Sequence, residues 1–147
     1  MRKIFIGSVL FTILILGGLL YFQPYENYLI INGNKIYVEL AADQFARKKG
    51  LSGRERLESN QGLLFMFPHD DNRFFWMKGM KFPIDIIWIK NNVIVGIEHN
   101  VPLSEGPDYP HYISPEPLSR VLEINANLAK KLGLATGQEV KFHLLGE

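Results

Sequence analysis

The stretch FFWMKGMKFPIDIIWIK, Phe74 to Lys90, carries both tryptophans of the 147-residue chain in a strongly apolar setting, yet Lys78, Lys81 and Asp85 interrupt it. Side chains alternate across a strand. Phe74, Trp76 and Lys78 therefore face one way and Phe75 and Met77 the other; beyond a turn near Gly79 to Pro83, Ile84, Ile86 and Trp88 oppose Asp85, Ile87 and Ile89. Both faces of both arms are mostly apolar, as in strands covered on two sides. Read as a hairpin, the arms bring Lys78 and Asp85 together at its mouth, where their stems pack while their charged tips reach each other or water. Lys81 falls in the solvated turn.

Outward from this stretch, turn chemistry recurs at short intervals. NYLIINGNKIYVELA reads as two strands about Asn32-Gly33-Asn34, with Tyr37 and Glu39 on one face and Ile36, Val38 and Leu40 on the other. A helix is expected from Asp43 to Gly50, and Ser52 with Glu55 matches a capping box that opens a second short turn of helix. GLLFMF is a short buried strand ended by Pro68, and NNVIVGIEH pairs as a hairpin arm behind Asn91-Asn92. Val101 to Pro117 holds five of the 8 prolines and reads as an extended loop outside any central sheet. RVLEI is a strand, NLAKKLG a helix ending at Gly133, and QEVKFHLL a final strand. The fold expected is a mainly β, compact antiparallel β-sandwich or barrel with two or three short helices.

The N-terminus is of another kind. After Arg2 and Lys3, Ile4 to Phe22 contains no charge, which is about 28 Å of helix against a hydrocarbon layer of roughly 30 Å. Residues 1–22 are thus read as one transmembrane signal anchor, 23–35 as a juxtamembrane segment with the first strand, and 36–147 as an extracytoplasmic β domain. Tyr21 and Tyr25 suit an interfacial belt, and the basic flank sets the domain outside the cytoplasm of a single-pass membrane protein. The alternative is secretion after signal cleavage.

Hydrophobic residues at 47% and charged ones at 21% are ordinary for a folded domain, and without Arg2 and Lys3 the net charge is about −1. No basic face is implied, so nucleic acid is not an expected partner. The absence of Cys excludes disulfides, a zinc ribbon and a thiol nucleophile. His69-Asp70-Asp71 lies in a polar turn without helical ligand spacing, so no metal is expected, and no phosphate-cradling loop calls for a nucleotide cofactor.

GLSGRERL, GLLFMF, FFWMKGMKFPIDIIWI and VLEINANLAKKLGLATGQEV, in this order and spacing, resemble the domain of unknown function 192 family, an uncharacterised conserved prokaryotic region. The resemblance covers about Tyr37 to Phe142 and implies a compact all-β sandwich or barrel with small helices, often behind a signal sequence, with no established activity. Its characteristic polar positions match Glu39, Arg54, Trp76, Lys78, Asp85 and Glu123, while Gly79-Met80 replace a frequent Asn-Thr and Asn127 a usual Gly. Asn is the next most tolerant residue of positive φ.

Glu123 stands between apolar neighbours and calls for a cation, with Arg54, Lys78 or Arg120 as suppliers. Those residues are either a structural network or a site, in which Asp85 and Glu123 converge as a carboxylate pair beside Lys78 for acid and base work. Ser52 has no nearby His, and Ser104, Ser114 and Ser119 lack an elbow motif. The loop PLSEGPDYPHYISPEP, with Tyr109 and His111, is a lid over Trp76 or a strap over a sheet edge. The candidate binding residues are Glu39, Arg54, Trp76, Lys78, Asp85, Glu123, Tyr109 and His111. The first functional expectation is a membrane-tethered domain that binds a small ligand or an envelope protein without catalysis or cofactor. A hydrolase-like enzyme using Asp85, Glu123 and Lys78, and a purely structural envelope module, are the alternatives.

Overall fold

Asn32 and Gly33 both take positive φ, 49° and 75°, the pairing a two-residue I′ turn needs, and join β1 (Tyr28–Ile31) to β2 (Asn34–Ala41) as a hairpin. Asn91 and Asn92, at 48° and 61°, do the same between β5 (Ile84–Lys90) and β6 (Val93–Val101). The computed structural model of the protein describes residues 27–104 and 109–145. The anchor expected over 1–22 lies outside these residues, as do Glu105 and Asp108; among the described residues no helix is long and apolar enough to cross a membrane.

With β3 (Gln61–Asp71), β8 (Leu118–Asn125) and β9 (Val140–His143), these strands form one sheet in the order β6-β5-β8-β3-β2-β1-β9. The sheet curls into a half-barrel until its two edges touch at a bridge between Val93 and Glu139. A mainly β sandwich or barrel was expected; the mainly β class holds, and the main sheet is a curled half-barrel of seven strands, not two stacked sheets. Nor is it wholly antiparallel: β2 and β3 run parallel, because α1 (Gln44–Lys49) carries the chain across the sheet. The Asp43 carboxylate caps α1 by accepting from the Ala46 amide at 2.8 Å, and Gly50 ends it at a φ of 51°. The other described helix is α2 (Leu128–Lys131).

The hairpin expected over Phe74 to Lys90 does not form. β4 (Phe74–Phe75) pairs with β7 (Tyr112–Ile113) in a separate two-stranded ribbon, and both edges of β5 are taken, by β6 and β8. The physical reason is in β5 itself: apolar on both faces, it is best placed in the middle of the sheet, where neither edge is left for β4. Beyond Val101, the described residues of the proline-rich loop stay outside the main sheet and donate β7 to the ribbon.

Two smaller expectations also change. β3 does not stop at Pro68 but passes through it, within an irregularity between Met66 and Asp71 where the missing N–H leaves no gap in the ladder. Ser52 caps no helix; its hydroxyl donates to the Lys78 carbonyl at 2.7 Å, while the Gly53 amide donates to the Gly79 carbonyl at 2.8 Å, tying the two turns together.

The half-barrel has an inner core, with Leu29, Val38, Leu64, Ile87, Leu122, Ile124 and Val140 among its members, capped by Ala129 of α2 and by Leu134. A second core lies on the outer face of β3, β5 and β8, where Leu63, Phe65, Ile86, Trp88 and Val121 are covered by Leu51, Leu57 and Met77. These central strands are thus buried on both faces.

Candidate functional site

Alternation along β8 sends Leu122 and Ile124 into the barrel and Val121 and Glu123 to the outer face. Across the sheet Glu123 stands opposite Leu63 of β3 and Ile86 of β5, so its carboxyl emerges between apolar side chains. Gly62 makes room for this packing: a Cβ there would meet the Glu123 carbonyl at 2.9 Å and a Leu122 methyl at 2.8 Å. Above, α1 and the β4–β7 ribbon leave a gap of about 240 Å³. Glu123 lies in it with Phe65 and Phe75, while Trp76, Phe74 and the Lys48–Lys49 end of α1 reach its lining from the surface.

Glu123 is 5% exposed and its Oε2 has no hydrogen-bond partner among the described residues. Burial pushes its pKa up to about 8, against a smaller downward pull from the Arg54 charge, so the group is protonated at neutral pH. Arg54 instead forks onto Glu39, with both N–O distances 2.7 Å, and that hydrogen bonding holds the Glu39 carboxyl below its usual range. Glu39 and Glu123 share a row of the sheet, each opposite Leu63. Arg54 thus pairs with Glu39 and acts on Glu123 through its charge.

Trp76 is 53% exposed, its ring stacked near His111 with centroids 5.9 Å apart and the Lys78 ammonium 5.6 Å from its centroid. Phe74 and Trp76 open outward while Phe75 and Met77 turn to the core, as alternation predicts. Phe75 packs edge-on against Phe65 and Trp88, at centroid distances of 4.8 and 5.6 Å, which props the ribbon on the sheet.

Asp85 is not at this site. It is wholly buried, and opposite Ile124 it points into the barrel. Its Oδ1 accepts from the amides of Asn100 and Asn127 at 2.7 and 3.0 Å, and its Oδ2 from Ala129 at 2.8 Å. Asn100 and Asn127 both have positive φ, 50° and 65°, which turns their amides inward to the carboxylate. The expected Lys78–Asp85 contact is absent: Lys78 is exposed beside Trp76 and Asp85 is held by backbone amides. The expected Asp85–Glu123 pair fails as well, since the two carboxyls lie on opposite faces of the sheet.

Of the residues singled out in the sequence, Trp76 and Glu123 both line the gap; Glu39 lies in the same row of the sheet as Glu123, across Leu63, and holds Arg54; Lys78 and His111 flank Trp76. Tyr109 is half-buried in the loop before β7. Phe65, Phe74, Lys48 and Lys49 were not singled out. Phe65 had a legible signal, since it lies two residues from Leu63 on one strand face. The placement of α1 had none, because it depends on the parallel crossover. Among the described residues no three His, Cys, Asp or Glu side chains gather as a metal site.

The DUF192 family, described as Uncharacterized ACR, matches residues 28–142. The fold is similar to a crystal structure from Sinorhizobium meliloti 1021, provisionally described as a transcription regulator, with 30% identity and a TM-score of 0.71 over 79% of this chain and 91% of that one. It is also similar to a protein of unknown function from Novosphingobium aromaticivorans DSM 12444, with 28% identity and a TM-score of 0.72 over 78% of this chain and 83% of that one. No curated protein matches the chain.

Proposed function

We propose that the chain, which belongs to the uncharacterised DUF192 family, is a membrane-tethered extracytoplasmic domain that binds a small ligand in the gap between α1, β4 and β8. The observation that carries the ligand reading is Glu123, a nearly buried carboxyl among the residues that line the gap, whose Oε2 has no hydrogen-bond partner among the described residues. Buried polar atoms in native proteins are nearly always satisfied, and a carboxyl with spare hydrogen-bonding capacity in the lining of an otherwise apolar gap is the kind of polar group that orients a ligand. The tether rests on the uncharged run Ile4–Phe22 behind Arg2 and Lys3, followed within a few residues by β1.

A hydrolase built on paired carboxylates loses its geometry here, because Asp85 faces the inner core. Asp85 instead serves as scaffold. The description of the Sinorhizobium protein would make the domain a regulator, but the near-neutral outer portion of this chain offers no electrostatic argument for a nucleic-acid surface.

The test is a fragment screen on the 15N-labelled full chain in detergent, read by amide shifts. Binders are expected to move resonances of Gly50, Phe65, Trp76 and Glu123 together. A screen in which chemically diverse fragments shift other surfaces and never this group would end the ligand reading.

A further inference from the structure

The lining of the gap is chemically uneven, and the unevenness selects among ligands. At the bottom, between Leu63 and Ile86, is a carboxyl whose Oε2 is unpartnered among the described residues. Burial keeps that group neutral up to a pH of about 8, so it offers one O–H donor together with acceptor lone pairs. A ligand hydroxyl is its complement, because a hydroxyl also donates and accepts. An anionic group placed there would take the one proton and leave its remaining charge in an apolar surrounding; an ammonium would have to ionise Glu123 and would enter past Lys48 and Lys49. Charge of either sign is disfavoured beside the carboxyl itself, while Arg47, Lys48 and Lys49 make the rest of the lining positive, which makes an anionic ring the rival to be tested.

At the opening stands the half-exposed indole of Trp76, just after β4, with Phe74 of β4 exposed as well. Trp76 and Phe74 are exposed aromatic side chains of the kind that marks binding sites, with His111 stacked near the indole at 5.9 Å. The electron-rich face of an indole attracts slightly positive C–H groups. A pyranose ring has such an apolar C–H face on one side and hydroxyls around its rim. A volume of about 240 Å³ is at the small end of ligand sites, enough for one ring and not for a buried oligomer.

Resting on the reading that the gap is a ligand site, we infer that it takes one ring of a neutral saccharide, stacked on Trp76 and hydrogen-bonded through its hydroxyls to the Glu123 carboxyl. The ligand is a glycan terminus or a free sugar. One-ring recognition of this kind is weak, with dissociation constants of about 1 mM.

The experiment uses the full chain in a polyoxyethylene detergent, which carries no sugar. Ligand-observed saturation-transfer NMR is recorded with methyl β-glucoside, methyl N-acetyl-β-glucosaminide, chitotriose, glucuronate and tetramethylammonium. The neutral glycosides are expected to bind the wild type. Glu123→Gln keeps a donor and an acceptor without charge and is expected to bind within about threefold of wild type; Trp76→Ala, a surface change, is expected to weaken binding at least about tenfold. Chitotriose binding with monosaccharide-like affinity supports a glycan terminus as the source, and binding of the monosaccharides alone supports a free sugar. Binding of tetramethylammonium or glucuronate in place of the glycosides, with loss in Glu123→Gln, overturns the saccharide class while leaving the gap a ligand site. Silence of every neutral glycoside overturns the inference too, and the fragment screen then decides the broader reading on its own.

Discussion

The buried Asp85 carboxylate on β5 accepts a hydrogen bond of 2.8 Å from the Ala129 amide at the start of α2, 44 residues away in sequence. With the amides of Asn100 and Asn127 on its other oxygen, it pins the end of β6, the turn after β8 and α2 to one point at the mouth of the barrel. Asp85→Asn would turn an NH₂ toward one of these N–H donors, leaving donor facing donor in a buried place. We expect a loss of about 2–4 kcal/mol in urea unfolding. A variant within about 0.5 kcal/mol of wild type would show that the cluster is not the clamp described.

Glu123 makes stability pH-dependent. Its folded pKa of about 8 lies above the ordinary 4.5, so the folded state holds the proton more tightly than the unfolded chain. The contribution is complete below about pH 4.5 and is lost as pH rises through about 8, by an amount on the order of a few kcal/mol. Glu123→Gln, which never ionises, should flatten this decline and melt above wild type at pH 9. Equal slopes of melting temperature between pH 5 and 9 in both proteins would contradict the neutral, buried carboxyl.

Glu39 works in the opposite direction. Hydrogen bonding from Arg54 lowers its pKa, so its stabilisation is present above the ordinary value of 4.5 and is lost as pH falls through the lowered folded value. Both side chains are partly exposed, which reduces the effect to about 1 kcal/mol or less. Glu39→Gln should therefore cost little at pH 7 and remove part of the acid-side loss seen in chemical denaturation at pH 3–5.

Gly62 is required for space. A Cβ 2.9 Å from the Glu123 carbonyl must push β8 away from β3, and Gly62→Ala is expected to cost about 1–3 kcal/mol and to shift the Glu123 amide resonance. Retained stability with unmoved β8 resonances would count against that close approach.

The two tryptophans are expected to report separately. Trp88 is buried at 1% exposure and Trp76 is open, so acrylamide should quench about half the emission. Trp76→Phe should leave a blue-shifted, unquenched spectrum with stability changed by less than about 0.5 kcal/mol. Easy quenching of Trp88 in that variant would place it outside the core.

Much was legible in residue order alone. The I′ turns at Asn32-Gly33 and Asn91-Asn92, the Asp43 cap, the Gly50 stop and the mainly β class follow from local backbone preferences, which neighbours in sequence suffice to express. The outward Trp76 and inward Met77 follow from strand alternation, a property of a single strand. The apolar setting of the Glu123 carboxyl was legible too, from its neighbours in sequence.

Only the tertiary structure decided which strands meet. Adjacency in sequence favoured β4 and β5 as partners, but β5 gains more by lying between β6 and β8, and that choice put Asp85 and Glu123 on opposite faces and left Lys78 in solvent. The parallel β2–β3 crossover likewise placed α1 over the outer core and so made the gap beside Trp76. Turns and alternation are set by a few residues of chain, whereas strand pairing is set by the burial of whole faces, a competition among distant segments that no local pattern records.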